Sequence, residues 1–93
     1  MPNSKVLYKI EVSGRVQGVG YRQACLREAR FRGIRGFVKN LSNGNVYIEA
    51  EGSPEQLNEL LRWCKIGTGY GNVEDISFEI SETVNHASFV IHY

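Results

Sequence analysis

The chain has 93 residues, of which 42% are hydrophobic and 23% are charged, values typical of a globular protein. This length allows a modest core but not two, so we expect a single domain over residues 1–93. No apolar run approaches the ~18 residues of a membrane-spanning helix. No hydrophobic signal region follows the N-terminus, and the expected location is therefore the cytoplasm, without membrane contact.

The net charge is +1, but the charges are unevenly distributed along the chain. Residues 14–39 contain seven basic residues and one acid, a net charge of +6, whereas the remainder carries −5. A positive segment of this kind attracts small anions. A total charge near zero does not favour nucleic acid as a partner, and none is expected.

The first predicted elements are a strand and a helix. Apolar residues recur at every second position near the N-terminus, as in a half-buried strand: Val6, Tyr8, Ile10 and Val12. A loop then leads to a predicted helix over residues 21–32, which ends at Gly33 because glycine suits the position after a helix. Cys25 and Ala29 lie one turn apart and should face the core.

A hairpin and a second helix come next. Strands are predicted over residues 36–41 and 45–51, joined at Asn43-Gly44, where both residues tolerate positive φ. Ser53 fits the N-cap of the second helix, with proline at the first helical position and Gln56 completing a capping box. An apolar stripe at helical spacing should face the core: Leu57, Leu60, Leu61 and Cys64.

The remaining elements are a glycine-rich loop over residues 66–72, a strand over 73–80 and a last strand over 87–93. The order is β-α-β-β-α-β with a short extra C-terminal strand. It predicts a ferredoxin-like α+β sandwich, in which two helices pack on one face of an antiparallel sheet.

The stretch from Gly14 to Arg22 is the first candidate site. Its glycines allow successive backbone N–H groups to curl inward, a helix begins behind them, and an arginine follows. All three features favour a phosphate-like anion. No Gly-Lys-Ser/Thr closes the loop, so a Walker A nucleotide site is excluded. On the residues alone, a plain connecting loop and a solvent-exposed Arg22 remain alternatives.

This stretch resembles the phosphate loop of the acylphosphatase family, and the segment from Gly36 to Gly52 resembles that family's second signature. The resemblance covers nearly all of the chain. It implies that Arg22 and five backbone amides hold the phosphate of an acyl phosphate: those of Gln17, Gly18, Val19, Gly20 and Tyr21. It also implies that Asn40 positions the attacking water, although Asn40 alone fits a turn residue. Tyr21 should pack its ring in the core and lend only its amide.

The implied reaction needs neither a metal nor a cofactor. The expected partners are a small-molecule acyl phosphate and inorganic phosphate as product, and the expected state is a monomer. Cys25 and Cys64 have no CxxC spacing, which favours two reduced cysteines in the core. His86 and His92 are isolated and lack the spacing of metal ligands.

Two alternatives remain open. One is a non-catalytic ferredoxin-like module that binds RNA or an anion, although Phe37 and Tyr47 do not reproduce the aromatic signature of RNA-recognition domains. The other is a regulatory domain, because acylphosphatase-like domains also begin a large hydrogenase-maturation protein. The end of the sequence at Tyr93 favours a free-standing enzyme.

Overall fold

The computed structural model describes residues 4–93. Met1, Pro2 and Asn3, part of the N-terminal segment that shows no signal region, lie outside the described residues. The elements in chain order are β1 (Val6–Arg15), α1 (Tyr21–Phe31), β2 (Arg35–Asn40), β3 (Val46–Gly52), α2 (Pro54–Ile66), β4 (Asn72–Ser81) and β5 (Phe89–His92). The predicted order of strands and helices is confirmed.

The five strands form one sheet in the order β4-β1-β3-β2-β5. Four strands pair antiparallel, as expected, but β5 pairs in parallel with β2, so the sheet is mixed. The reason is the position of the last connection. β4 and β5 lie at opposite edges, and residues 82–88 therefore cross the sheet before β5 begins.

Glu51 holds this crossing segment in place. The backbone N–H groups of Val84, Asn85 and His86 all donate to its carboxylate, those of Asn85 and His86 at 2.8 and 2.6 Å. Glu51 lies on the face of β3 opposite the buried Ile48 and Ala50, where a carboxylate usually meets solvent, yet it is only 6% exposed. Its three donors satisfy a carboxylate that burial would otherwise disfavour.

The core lies between the helices and one face of the sheet. Its largest fully buried side chains come from both helices, four of the strands and the loop before α1: Tyr21, Phe89, Ile10, Ile48, Leu57, Leu60, Val12, Val16, Val38, Val46 and Cys25. The predicted stripe of α2 is buried throughout, as are Cys25 and Ala29 of α1. Both cysteines are free, and burial raises the pKa of the Cys64 thiol to about 12.

The helix boundaries follow from local sequence. α1 ends at Phe31 with Arg32 as its C-cap, and Gly33 follows at φ 71°. The Ser53 hydroxyl accepts the Gln56 N–H, and the Gln56 amide oxygen accepts the Ser53 N–H at 2.9 Å, which confirms the capping box. Among the described residues, neither helix combines the length and apolar character needed to cross a bilayer.

The β2–β3 turn differs from the expected one. Only Gly44 has a positive φ, 95°, whereas Asn43 does not. The Gly44 N–H donates to the Leu41 carbonyl at 3.2 Å, and the Leu41 N–H donates to the Asn45 carbonyl at 2.8 Å. Residues 41–44 therefore form the turn, and its last residue is a glycine with positive φ. Asn43 instead accepts the Asn45 N–H with its side chain at 3.0 Å.

Candidate active site

The glycine loop (residues 16–20) connects β1 to the N-terminus of α1. Gly18 and Gly20 have φ values of 76° and 79°, which glycine adopts at little steric cost. In the part of the chain that the structure describes, the backbone amides of residues 17–21 donate no hydrogen bond to protein groups. Unpartnered N–H groups at the start of a helix suit an anion.

The electrostatics of this helix end favour negative charge. The first turn of α1 contains no acidic residue, so the partial positive charge of the helix terminus is uncompensated by the helix itself. Arg22 adds a full positive charge in the same turn. Its guanidinium carbon lies 5.0 Å from the centre of the Tyr93 ring. Within residues 4–93 it forms no ion pair with a carboxylate.

Asn40 is the last residue of β2, and it lies on the face of the sheet that also carries the buried Val38. Its amide oxygen is buried and accepts no hydrogen bond from any described residue. A buried acceptor without a donor is unfavourable and uncommon in native structures. Such an oxygen suits a position where a water molecule donates to it.

The residues meet at a cavity of about 100 Å³ between the glycine loop and the end of β2. Its lining consists of Val16, Gly18, Gly20, Tyr21, Arg22, Gln23 and Asn40. The structure therefore brings together Arg22, Asn40 and part of the predicted cradle. Gln17 and Val19 belong to the same loop but do not line the cavity.

Side chains outside the cavity hold the glycine loop in place, and the sequence patterns did not predict them. The Gln17 side-chain amide donates to the carbonyls of Leu41 and Asn45, at 2.8 and 2.9 Å. On the other side, the Thr68 hydroxyl donates to the Val19 carbonyl at 3.2 Å. These partners are 24 to 49 residues apart in sequence, so no local signal reports them.

The loop between α2 and β4 (residues 67–71) packs closely against the glycine loop. A Cβ atom on Gly71 would lie 2.1 Å from the Arg15 carbonyl oxygen, so only glycine permits this approach. The Arg15 guanidinium in turn donates to the Tyr70 carbonyl at 2.5 Å. Arg15 therefore contacts this loop and does not line the cavity.

Tyr21 packs as expected. Its ring is 2% exposed and lies 5.0 Å from the Trp63 ring, centre to centre. Its hydroxyl donates to the Cys64 carbonyl at 2.8 Å. Burial raises the pKa of this hydroxyl far above its ordinary value, so it remains a neutral donor.

A larger depression, of about 330 Å³, lies on the face of the sheet opposite the helices. Its lining includes one basic residue, Lys9, and two acidic residues, Glu11 and Glu79. The two negative charges repel an anion. It also lacks a helix N-terminus. The cavity at the glycine loop is smaller, but its lining carries Arg22 and no acidic residue, which favours an anion there. Among residues 4–93, no three His, Cys, Asp or Glu side chains cluster as metal ligands would.

The fold and the cavity define a small α+β sandwich domain with unpartnered amides, an arginine and an asparagine around one anion-sized cavity. The acylphosphatase family model matches residues 8–91. This chain belongs to the acylphosphatase family.

Individual relatives agree with this assignment. The chain is 42% identical over 81 residues to the acylphosphatase of Deinococcus radiodurans, covering 87% of this chain and 93% of that protein. It is 41% identical over 88 residues to the acylphosphatase of Archaeoglobus fulgidus, covering 95% and 99%. The crystal structure of acylphosphatase from Bacillus subtilis superposes with a TM-score of 0.92 at 40% identity, covering 95% of this chain and 99% of that one. The ferredoxin-like fold is thereby confirmed.

Proposed function

We propose that this enzyme hydrolyses acyl phosphates to a carboxylate and inorganic phosphate at the cavity between the glycine loop and Asn40. Family membership supports the activity. The observation that carries the location is the unpartnered, buried amide oxygen of Asn40 on the same cavity as Arg22. The Asn40 amide oxygen suits a water molecule, and the Arg22 guanidinium suits a phosphate.

In this proposal, the phosphate is bound by the backbone amides of residues 17–21 and by the guanidinium of Arg22. Backbone donors and a planar guanidinium can contact several phosphate oxygens at once. These donors are fixed before substrate arrives, so they stabilise charge on the equatorial oxygens without reorganising. The absence of acidic residues from the first turn of α1 supports this role.

Asn40 orients the nucleophile. Its amide oxygen accepts a hydrogen bond from water, and its NH₂ group can donate another. The cavity lining contains no His, Asp or Glu, so we assign no general base. An acyl phosphate needs little base catalysis, because a carboxylate is already a good leaving group and the main requirements are alignment and charge stabilisation.

The bond changes are those of an in-line displacement. The water oxygen forms a bond to phosphorus while the bond from phosphorus to the acyl oxygen breaks. The acyl oxygen leaves with the electron pair as a carboxylate. The proton lost by water passes to the phosphate or to solvent, so no metal and no cofactor enters the balance.

We also propose that the enzyme acts as a cytoplasmic monomer on a small molecule, without nucleic acid. Two free, buried cysteines are compatible with a reducing compartment. The open face of the sheet carries Glu11, Glu49 and Glu79 beside its aromatic residues, which disfavours an RNA backbone. Salt-dependent retention on RNA by a protein without hydrolytic activity would support the non-catalytic alternative instead.

Steady-state hydrolysis of benzoyl phosphate, with and without EDTA, tests the activity. We expect equal rates in both conditions and competitive inhibition by inorganic phosphate, because the product occupies the same site. Activity abolished by EDTA and restored by a divalent cation would contradict the metal-free mechanism.

A further inference from the structure

The backbone and the side chain of Gln17 contact different parts of the fold. Its backbone belongs to the glycine loop, whereas its side chain extends away to the neck of the β2–β3 hairpin. There a single NH₂ group donates to two carbonyls, that of Leu41 at 2.8 Å and that of Asn45 at 2.9 Å. Both N–H bonds of this amide are therefore used, which fixes its orientation.

The two acceptors flank the hairpin that begins immediately after Asn40. Leu41 is the next residue in the chain, and Asn45 pairs with it through the 2.8 Å bond from the Leu41 N–H. Asn40 itself pairs with Val46 in the β2–β3 ladder. The Gln17 side chain thus links the glycine loop directly to the strand end that carries Asn40.

We propose that Gln17 is a positioning residue for the reaction: its side-chain amide sets the distance and angle between the phosphate-binding loop and Asn40. The inference rests on the proposed function, since it concerns the alignment of the attacking water at Asn40 with the phosphate of the substrate. It adds to the role of the Gln17 backbone a separate role for its side chain.

The physical reason is the sensitivity of displacement reactions to alignment. The phosphate position depends on the glycine loop, whereas the water position depends on the end of β2, and these elements are separated in sequence by about two dozen residues. A misplacement of ~1 Å between reacting groups can cost ~10²-fold in rate. A direct link between the two elements limits such displacement.

The alternative is a purely structural role, in which the same two hydrogen bonds only stabilise the fold. The two roles differ in what they do to kcat and to phosphate binding. A positioning role lowers kcat through Asn40 and leaves the amides and Arg22 able to bind phosphate. A structural role lowers stability or disturbs binding and catalysis together.

The test is a double-mutant cycle with benzoyl phosphate, pairing Gln17→Met with Asn40→Ala. Methionine has a similar length but donates no hydrogen bond. We expect Gln17→Met to lower kcat by ~10-fold or more, with the inhibition constant of inorganic phosphate changed by less than about twofold. In the Asn40→Ala background, we expect the same substitution to change kcat by less than about twofold, because there is no oriented water left to misplace.

Thr68→Val is the matched control. It removes a side-chain hydrogen bond to the same loop, at the Val19 carbonyl, but makes no contact with the hairpin of Asn40. Its effect on kcat should therefore be the same with and without Asn40. Gln17→Asn serves as a second variant if Gln17→Met does not fold, because it keeps the amide but is one methylene too short to reach both carbonyls.

A Gln17→Met effect that multiplies fully with Asn40→Ala would overturn the positioning role, as would a loss confined to phosphate affinity. Failure of the proposed function looks different. In that case the wild-type protein would not hydrolyse benzoyl phosphate, or Asn40→Ala would retain the wild-type kcat.

Discussion

The hydroxyl of Tyr21, the first residue of α1, donates a 2.8 Å hydrogen bond to the carbonyl of Cys64 in the last turn of α2. The last four carbonyl groups of a helix have no N–H donor within that helix. The Tyr21 hydroxyl supplies a donor to one of them. The backbone N–H of the same residue donates to no group of the described chain. The end of one helix is thus stabilised by the residue that begins the other.

Replacing Tyr21 with phenylalanine should separate the contribution of its hydroxyl from that of its backbone N–H. Tyr21→Phe removes the hydroxyl and leaves the buried Cys64 carbonyl without that donor, which should lower the free energy of unfolding by about 1–3 kcal/mol. Because the proposed phosphate site uses only the backbone amide of Tyr21, kcat/KM should stay within about threefold of wild type. Urea denaturation and benzoyl phosphate kinetics check both. A fall in kcat/KM far larger than this, in a folded variant, would place the hydroxyl in the reaction.

Arg22→Lys tests the guanidinium. Lysine keeps the positive charge but loses the planar pair of donors, so the change is not conservative at a phosphate site. We expect kcat/KM to fall by ~10²-fold or more, by analogy with removal of an oriented charge-stabilising donor. Circular dichroism should remain that of the wild type. Near-wild-type kcat/KM in a folded Arg22→Lys protein would remove Arg22 from the site.

Asn40→Ala separates the orientation of water from the binding of substrate. It should lower kcat sharply and leave phosphate inhibition nearly intact, because in the proposed mechanism the loop amides and Arg22 bind the anion. Asn40→Asp should weaken phosphate binding as well, since a carboxylate repels the anion. Thermal melting must show that β2 and its turn are intact. If phosphate inhibition weakens as much as kcat falls, Asn40 binds substrate and does not act by orienting water.

Glu51 gives a prediction on stability and pH. Burial acts to raise the pKa of its carboxyl, but the backbone N–H groups of His86, Val84 and Asn85 outweigh this, and the pKa lies below its ordinary value of 4.5. A carboxyl with a lowered pKa in the folded state stabilises the protein above its unfolded pKa. That stabilisation is lost as the pH falls through the folded value.

The corresponding variant is Glu51→Gln. At neutral pH it should lower the free energy of unfolding by about 1–3 kcal/mol, because hydrogen bonds to a charged acceptor are replaced by weaker ones. The difference between wild type and variant should shrink as the pH falls from about 4.5, where Glu51 of the unfolded chain becomes protonated, through the lower pKa of the folded state. Urea titrations across this range measure it. A difference that is constant with pH would show that the charge of Glu51 does not contribute.

Much of the fold could be predicted because its signals are local. The capping box from Ser53 to Gln56 marks the start of α2, and Gly33 marks the end of α1 within one residue. The parallel pairing of β5 could not be predicted in the same way. It depends on a crossing segment held by Glu51, and a glutamate in an alternating strand normally indicates a solvent-facing position.

In the candidate site, too, some residues could be predicted from local motifs and others could not. The family motifs indicated Arg22 and Asn40, and the structure places both on one cavity. The contacts of the Gln17 side chain with Leu41 and Asn45 were not predicted, because they form only when the hairpin has folded against the loop. The approach of Tyr93 to Arg22 likewise depends on where β5 joins the sheet.

In the proposed reaction water attacks phosphorus, and the fate of the water oxygen distinguishes this from attack at the acyl carbon. Benzoyl phosphate is hydrolysed by the enzyme in water enriched in the heavy isotope of oxygen, and both products are examined by mass spectrometry. We expect the label to enter inorganic phosphate and benzoate to remain unlabelled. Label in benzoate would show attack at the acyl carbon and would contradict the roles assigned to Asn40 and Arg22.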